Sequence, residues 1–101
     1  MTLTRFTDEA EAVRFANDVR YGLAATVWTA DGARGHRVAQ KIRSGTVGIN
    51  TPFVAFPGVP FGGFKESGYG REQSIDALDL YTETKAVLQG TSARPINPFG
   101  I

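Results

Sequence analysis

The spacing of apolar positions changes repeatedly along this chain. Ala12, Phe15, Ala16 and Val19 recur at i, i+3, i+4 and i+7, one face of an amphipathic helix over roughly 8–19. Asp8 stands three before Glu11, the spacing of a helix-start capping box with Asp in place of Ser or Thr. Gly22 is placed to stop the helix. Residues 23–29, Leu-Ala-Ala-Thr-Val-Trp-Thr, are apolar and β-branched and too short for a typical helix, so they predict a buried strand. Asp31 then caps a second helix over about 31–43. Its apolar face is Gly35, Val38, Ala39 and Ile42; Arg34, Arg37, Lys41 and Arg43 fall largely on the wet side, and Gly45 ends it. Thr46-Val47-Gly48-Ile49-Asn50 is a second short strand. Strand, helix, strand with short turns is the βαβ order, which implies a parallel, buried sheet. Residues 2–6 alternate like half a strand.

Beyond Asn50 the regular pattern is lost. Residues 51–71 hold Phe53, Phe56, Phe61 and Phe64, with Pro52, Pro57 and Pro60 between them. Prolines deny a sheet its ladder donors, and an irregular segment of this length is usually functional or disordered. Within it, Pro60-Phe61-Gly62-Gly63-Phe64-Lys65-Glu66-Ser67-Gly68-Tyr69-Gly70-Arg71-Glu72 is too rich in glycine for a helix or a regular strand. A flexible linker is one reading, but linkers are Gly/Ser-rich with little else. Phe61, Phe64 and Tyr69 favour a shaped, packed loop. A short helix is expected from Glu72 to about Leu80. An alternating edge strand follows over 81–88, with Thr84, Ala86 and Leu88 on one side and Glu83 and Lys85 on the other. The tail 90–101 has little periodicity and is expected to be poorly ordered. There is no internal repeat.

Composition removes several classes of function. The 101 residues allow one domain, 42% hydrophobic and 21% charged, with net charge +1. The scattered basic residues form no nucleic-acid footprint or membrane-surface patch. No apolar run approaches the ~20 residues of a membrane span. Residues 1–5 lack the charged region and apolar block of a secretory signal, so a cytoplasmic location is expected. With no cysteine, disulfides, thiolate metal sites and a cysteine nucleophile are excluded.

Familiar catalytic patterns also fail here. Gln73 stands where a dinucleotide fingerprint beginning at Gly68 needs its third glycine, and no strand precedes it. Phe64 separates Gly63 from Lys65, and Glu66 replaces the Ser/Thr of a P-loop. Ser67 has Lys65 where a nucleophile elbow requires glycine. His36, the one histidine, has no metal-ligand partners near it in sequence, and a solvated helix flank is the expected place for it.

Four blocks carry a family resemblance. Residues 16–25, Ala-Asn-Asp-Val-Arg-Tyr-Gly-Leu-Ala-Ala, look like the A-N-D-x-x-Y-G-L-A-A block of the aldehyde dehydrogenase superfamily. Residues 45–50 resemble its G-T-V-x-[IV]-N strand. Residues 60–72 resemble its P-F-G-G-[YF]-K-x-S-G-x-G-R-E signature, and residues 81–85 its closing Y-T-x-x-K strand. They stand in family order and cover about residues 5–88.

This resemblance implies NAD(P)-dependent oxidation of an aldehyde to an acid or thioester, in an enzyme several times longer than this chain. The implied fold class is an α/β, βαβ piece of the catalytic domain, with a long Gly/Pro-rich loop and a C-terminal edge, or oligomerisation, strand. Residues 1–80 would be the C-terminal part of that domain, 81–89 the oligomerisation strand and 90–101 a flexible tail. Family catalysis uses a cysteine thiolate on the aldehyde carbon, hydride transfer to NAD or NADP, and a glutamate that activates water. The cysteine is absent. So are the cofactor-domain glycine turn and the E-x-F-G-P motif expected just upstream of Met1. No catalytic, cofactor-binding or metal-binding residue is carried over, and the chain is expected to bind no cofactor alone. The implied substrate-tunnel wall is Phe53, Ala55 and Phe61, which would favour an apolar or aromatic aldehyde; plain packing is the alternative reading of each. Some members hold a monovalent cation on carbonyls corresponding to Lys65 and Gly68, a site that needs further partners from elsewhere. Self-association, or pairing with the rest of an aldehyde dehydrogenase, is the implied partnership; nucleic acid and membrane are not.

Overall fold

The computed structural model describes residues 1–52, 56–91, 93 and 97–100. Helix α1 spans Glu9–Asn17. The Asp8 carboxylate accepts from the Glu11 amide at 2.8 Å. Glu11 reaches back one residue further than a standard capping box, accepting from the Thr7 amide and hydroxyl at 2.9 and 2.8 Å. The helix ends two residues earlier than the periodicity predicts, since Asp18 leaves helical geometry. The Asn17 side chain explains the stop. Its amide donates to the Lys41 carbonyl at 2.9 Å, and its oxygen accepts from the Arg43 amide at 2.7 Å. Gly22 is therefore not the helix stop. It lies buried in the two-residue strand β1, Tyr21–Gly22.

Strand β2, Ala24–Val27, helix α2, Gly32–Lys41, and strand β3, Thr46–Ile49, form the expected parallel βαβ unit. The register runs Ala24 with Thr46 through Val27 with Ile49. Asp31 caps α2 by accepting from the Arg34 amide at 3.1 Å. Gly35 is buried, and a Cβ there would meet Ile49 Cγ2 at 2.8 Å. The missing side chain is what lets α2 lie this close to β3. The helix stops at Lys41 because Ile42 turns to extended backbone, so residues 42–43 fall outside it. Asn50, at φ 53°, closes the far end of the sheet. Its side chain accepts from the Thr29 amide at 2.8 Å and donates to the Thr29 carbonyl at 2.9 Å, standing in for one more rung of the ladder.

The glycine-rich segment supplies strand β4, Phe64–Lys65, which pairs antiparallel with β1. Glu72 does not open a helix. It forms an antiparallel bridge with Phe61, and among the described residues the only helix downstream is a 3-10 helix over Ile75–Leu80, capped by Ser74. Residues 2–6 form no strand. Nor do residues 81–88 join a ladder; they are exposed throughout and lie in neither two-stranded sheet. A lone strand has no partner for its backbone groups, so alternation alone does not make it a sheet member.

Among the described residues no apolar side chain is buried. The α1 face read from periodicity is uncovered: Phe15 is 36% and Val19 54% exposed. The Cα radius of gyration is 22.8 Å, against roughly 13 Å for a compact chain of this length.

Candidate functional site

The glycine-rich loop, residues 60–72, folds against β1 and the start of β3 because glycines let backbones approach closely. A Cβ on Gly45 would run into the Gly62 carbonyl, and one on Gly62 into the Gly70 carbonyl. Three side chains fix the shape. Lys65 Nζ donates to the carbonyls of Asn17 and Val19 at 2.8 and 2.9 Å, meeting the exposed carbonyl end of α1 with a cation. Ser67 Oγ accepts from the Gly22 amide at 3.0 Å. Arg71 Nη1 donates to the carbonyls of Gly63, Tyr69 and Gly70 at 3.0, 3.2 and 2.8 Å, while its guanidinium lies 5.4 Å from the Phe64 ring centroid.

Phe61 is half-buried. Its backbone exchanges both hydrogen bonds with Glu72, at 3.0 and 2.8 Å. The residue lines an open cavity of about 250 Å³ with Leu23, Ser67, Tyr69, Glu72 and Leu80. The cavity is below the roughly 300–1,000 Å³ of ordinary ligand pockets. Phe53 and Ala55, the other expected wall residues, lie outside the described residues. Lysine 65's carbonyl already accepts from the Gly68 amide at 3.3 Å, closing a turn.

The cavity pairs no nucleophile with a base. Its hydroxyl on Ser67 is engaged with the Gly22 amide. His36 is exposed on α2, away from the loop. No group of three or more His, Cys, Asp or Glu able to hold a metal occurs among the described residues. A dinucleotide does not fit the helix starts either. The first-turn amides that would take a pyrophosphate are capped by Asp8 and Asp31, and α1 adds Glu9 and Glu11 in its first turn. Hydrogen bonds from Thr7 hold the Glu11 carboxyl below its usual range, and the Arg34 amide does the same for Asp31. Both carboxylates therefore keep their charge to lower pH, and at the α2 start Asp31 lies 4.0 Å from Arg34.

Sequence reasoning placed Phe61 in a shaped loop but said nothing of which strands the loop meets. It missed the roles of Asn17, Lys65 and Arg71. Their one sequence signal was position: each lies inside one of the blocks that carry the family resemblance, but a hydrogen bond to a distant carbonyl leaves no periodicity.

The sequence profile of the aldehyde dehydrogenase family matches residues 1–87. The chain is 45% identical over 87 residues to the NADP/NAD-dependent aldehyde dehydrogenase PuuC of Escherichia coli (strain K12), covering 86% of this chain and 18% of that one. It is 42% identical over 99 residues to the betaine aldehyde dehydrogenase of Bacillus subtilis (strain 168), covering 98% and 20%. Among solved structures, the betaine aldehyde dehydrogenase of Staphylococcus aureus in complex with NAD+ superposes with a TM-score of 0.85 at 41% identity, over 93% of this chain and 19% of that one. This small mixed α/β chain thus spans about a fifth of the length of the relatives it matches.

Proposed function

The chain belongs to the aldehyde dehydrogenase family, and from that premise we propose that it is a C-terminal segment of the enzyme fold that does no chemistry by itself. In this reading it supplies one wall of an apolar substrate tunnel and a strand for subunit contact. Phe61 presents its ring to the aldehyde, and Phe53 and Ala55 are assigned to the same wall by the family resemblance of the sequence around them. NAD or NADP is held by the remainder of the enzyme, which also carries the cysteine thiolate. The carrying observation is the combination of intact family blocks with an absent sulfhydryl, since a thiohemiacetal cannot form without one. The uncovered apolar faces of α1 and β1 support the same reading: they suit a segment packed into a larger body. No helix among the described residues is long and apolar enough to cross a membrane, and a cytoplasmic location accompanies the proposal.

The test is turnover. The purified chain, given NAD or NADP and a panel of aliphatic and aromatic aldehydes, should produce no reduced cofactor above the blank. Saturable turnover would overturn the reading.

A second reading rests on residues 81–88, which are exposed and lie in neither two-stranded sheet. Such a ribbon can add to a sheet edge of a full-length relative or of another copy, making the chain an oligomerisation module. Size-exclusion chromatography with light scattering decides it. A strict monomer that ignores full-length enzyme rejects the module.

A further inference from the structure

Helix α1 is attached to the βαβ unit in an unusual way. Its apolar contact is slight: Phe15 is 36% exposed, no side chain on α1 is buried, and the half-buried residues that face the groove are as small as Ala12. The contact at its N-terminal end is ionic. Arg37 grips the Glu9 carboxylate with both Nε and Nη2, at 2.9 and 2.6 Å. Lys41 Nζ lies 3.4 Å from the same carboxylate and Arg34 Nε 4.0 Å. The three cations occupy one stripe of α2, at i, i+3 and i+7. Glu9 is the one acid on α1 that reaches them, and its side chain is 27% exposed. At the other end α1 is held by hydrogen bonds to uncharged acceptors and donors of the backbone: the Asn17 side chain to residues 41 and 43, and the carbonyls of residues 17 and 19 accepting from the Lys65 ammonium, with no opposing carboxylate in the contact. The bidentate geometry and shared network lift this cluster above an ordinary surface pair. A half-exposed ion cluster also weakens as salt rises, whereas hydrogen bonds of the Asn17 type are far less screened.

We infer that α1 is an ionically latched arm: Glu9 holds its N-terminal turn onto the Arg34–Arg37–Lys41 stripe, and rising ionic strength releases that turn while the Asn17 joint stays closed as the hinge. Release would uncover the groove of about 430 Å³ between them, lined by Phe6, Asp8, Glu9, Ala12, Trp28 and Val38 among others. This inference does not depend on the proposed enzymatic role.

Trp28, the single tryptophan, lines that groove with 67% of its surface already exposed, so release acts on the covered remainder and the expected spectral change is correspondingly modest. Acrylamide, a neutral quencher, is titrated against the full chain at low and at near-molar sodium chloride. Wild type should show a red shift and stronger quenching as salt rises. Glu9→Gln should show the red-shifted, strongly quenched state already at low salt, with no further response. Arg37→Gln serves as the second variant, should fall between the two, and guards against a folding defect peculiar to position 9. Salt-independent quenching in wild type overturns the inference. So does a salt response retained in Glu9→Gln, or Arg37→Gln behaving as wild type.

Discussion

Asn50 shows how much one side chain can settle. It holds a left-handed backbone conformation and makes two hydrogen bonds to Thr29. Asn50→Ala loses both and puts at positive φ a residue that tolerates the left-handed region less well than Asn, so local opening at the end of the β2–β3 ladder should become easier by about 2 kcal/mol. Asn50→Gly loses the bonds but keeps the backbone freedom and should cost less. Amide exchange at Thr29 and Asn50 reads both variants. Glu9 offers a pH test. The Arg37 hydrogen bonds, helped by Lys41, hold its carboxyl down to about 2 from an ordinary 4.5. A depressed carboxyl contributes above its unfolded value and loses that contribution as pH falls through its folded one. Attachment of α1 should therefore weaken between pH 4.5 and about 2, followed through Trp28 emission, and Glu9→Gln should flatten that part of the curve. Glu11 and Asp31, also lowered, act in the same direction. At this scale the sequence was legible where a residue obeys a local rule, as the caps Asp8 and Asp31 do. It was silent for Lys65 and Arg71, whose partners are carbonyls reached only after the loop has folded.

Among the elements, β2–α2–β3 was readable because its apolar runs are short and bounded by Gly and Asp. The helix ends were not, since Asn17 and Ile42 stop the helices through tertiary hydrogen bonds and a backbone turn rather than glycine. The glycine-rich loop is shaped by its backbone and polar joints, but not packed on all three rings as expected, since Tyr69 is 97% exposed; its β1–β4 pairing was not legible, because two residues carry no period. Residues 81–88 mark the opposite case. Alternation predicted a strand, and the pairing that would make it one requires another edge. Exchange protection should rank the elements accordingly, with β2–β3 amides slowest and residues 82–90 at the rate of free peptide. Gly45→Ala tests the loop joint. Its Cβ would displace the Gly62 carbonyl, an overpacking cost of roughly 1–3 kcal/mol. Protease cleavage within residues 62–70 should rise severalfold, with β2–β3 protection unchanged.

The whole molecule joins these scales through what it leaves uncovered. Tyr21 is 52%, Leu23 44% and Phe64 39% exposed, and they flank the same loop that carries the family signature. Polar joints and close glycine contacts give the chain its local form, while burial of apolar area, the dominant drive to a cooperative fold, is slight among the described residues. That division is the physical content of the proposed segment. Scanning calorimetry of the isolated chain tests it most directly. The account predicts a broad, weak transition with no cooperative endotherm. A sharp two-state endotherm near the ~60–80 kcal/mol of an independent 100-residue domain would contradict it.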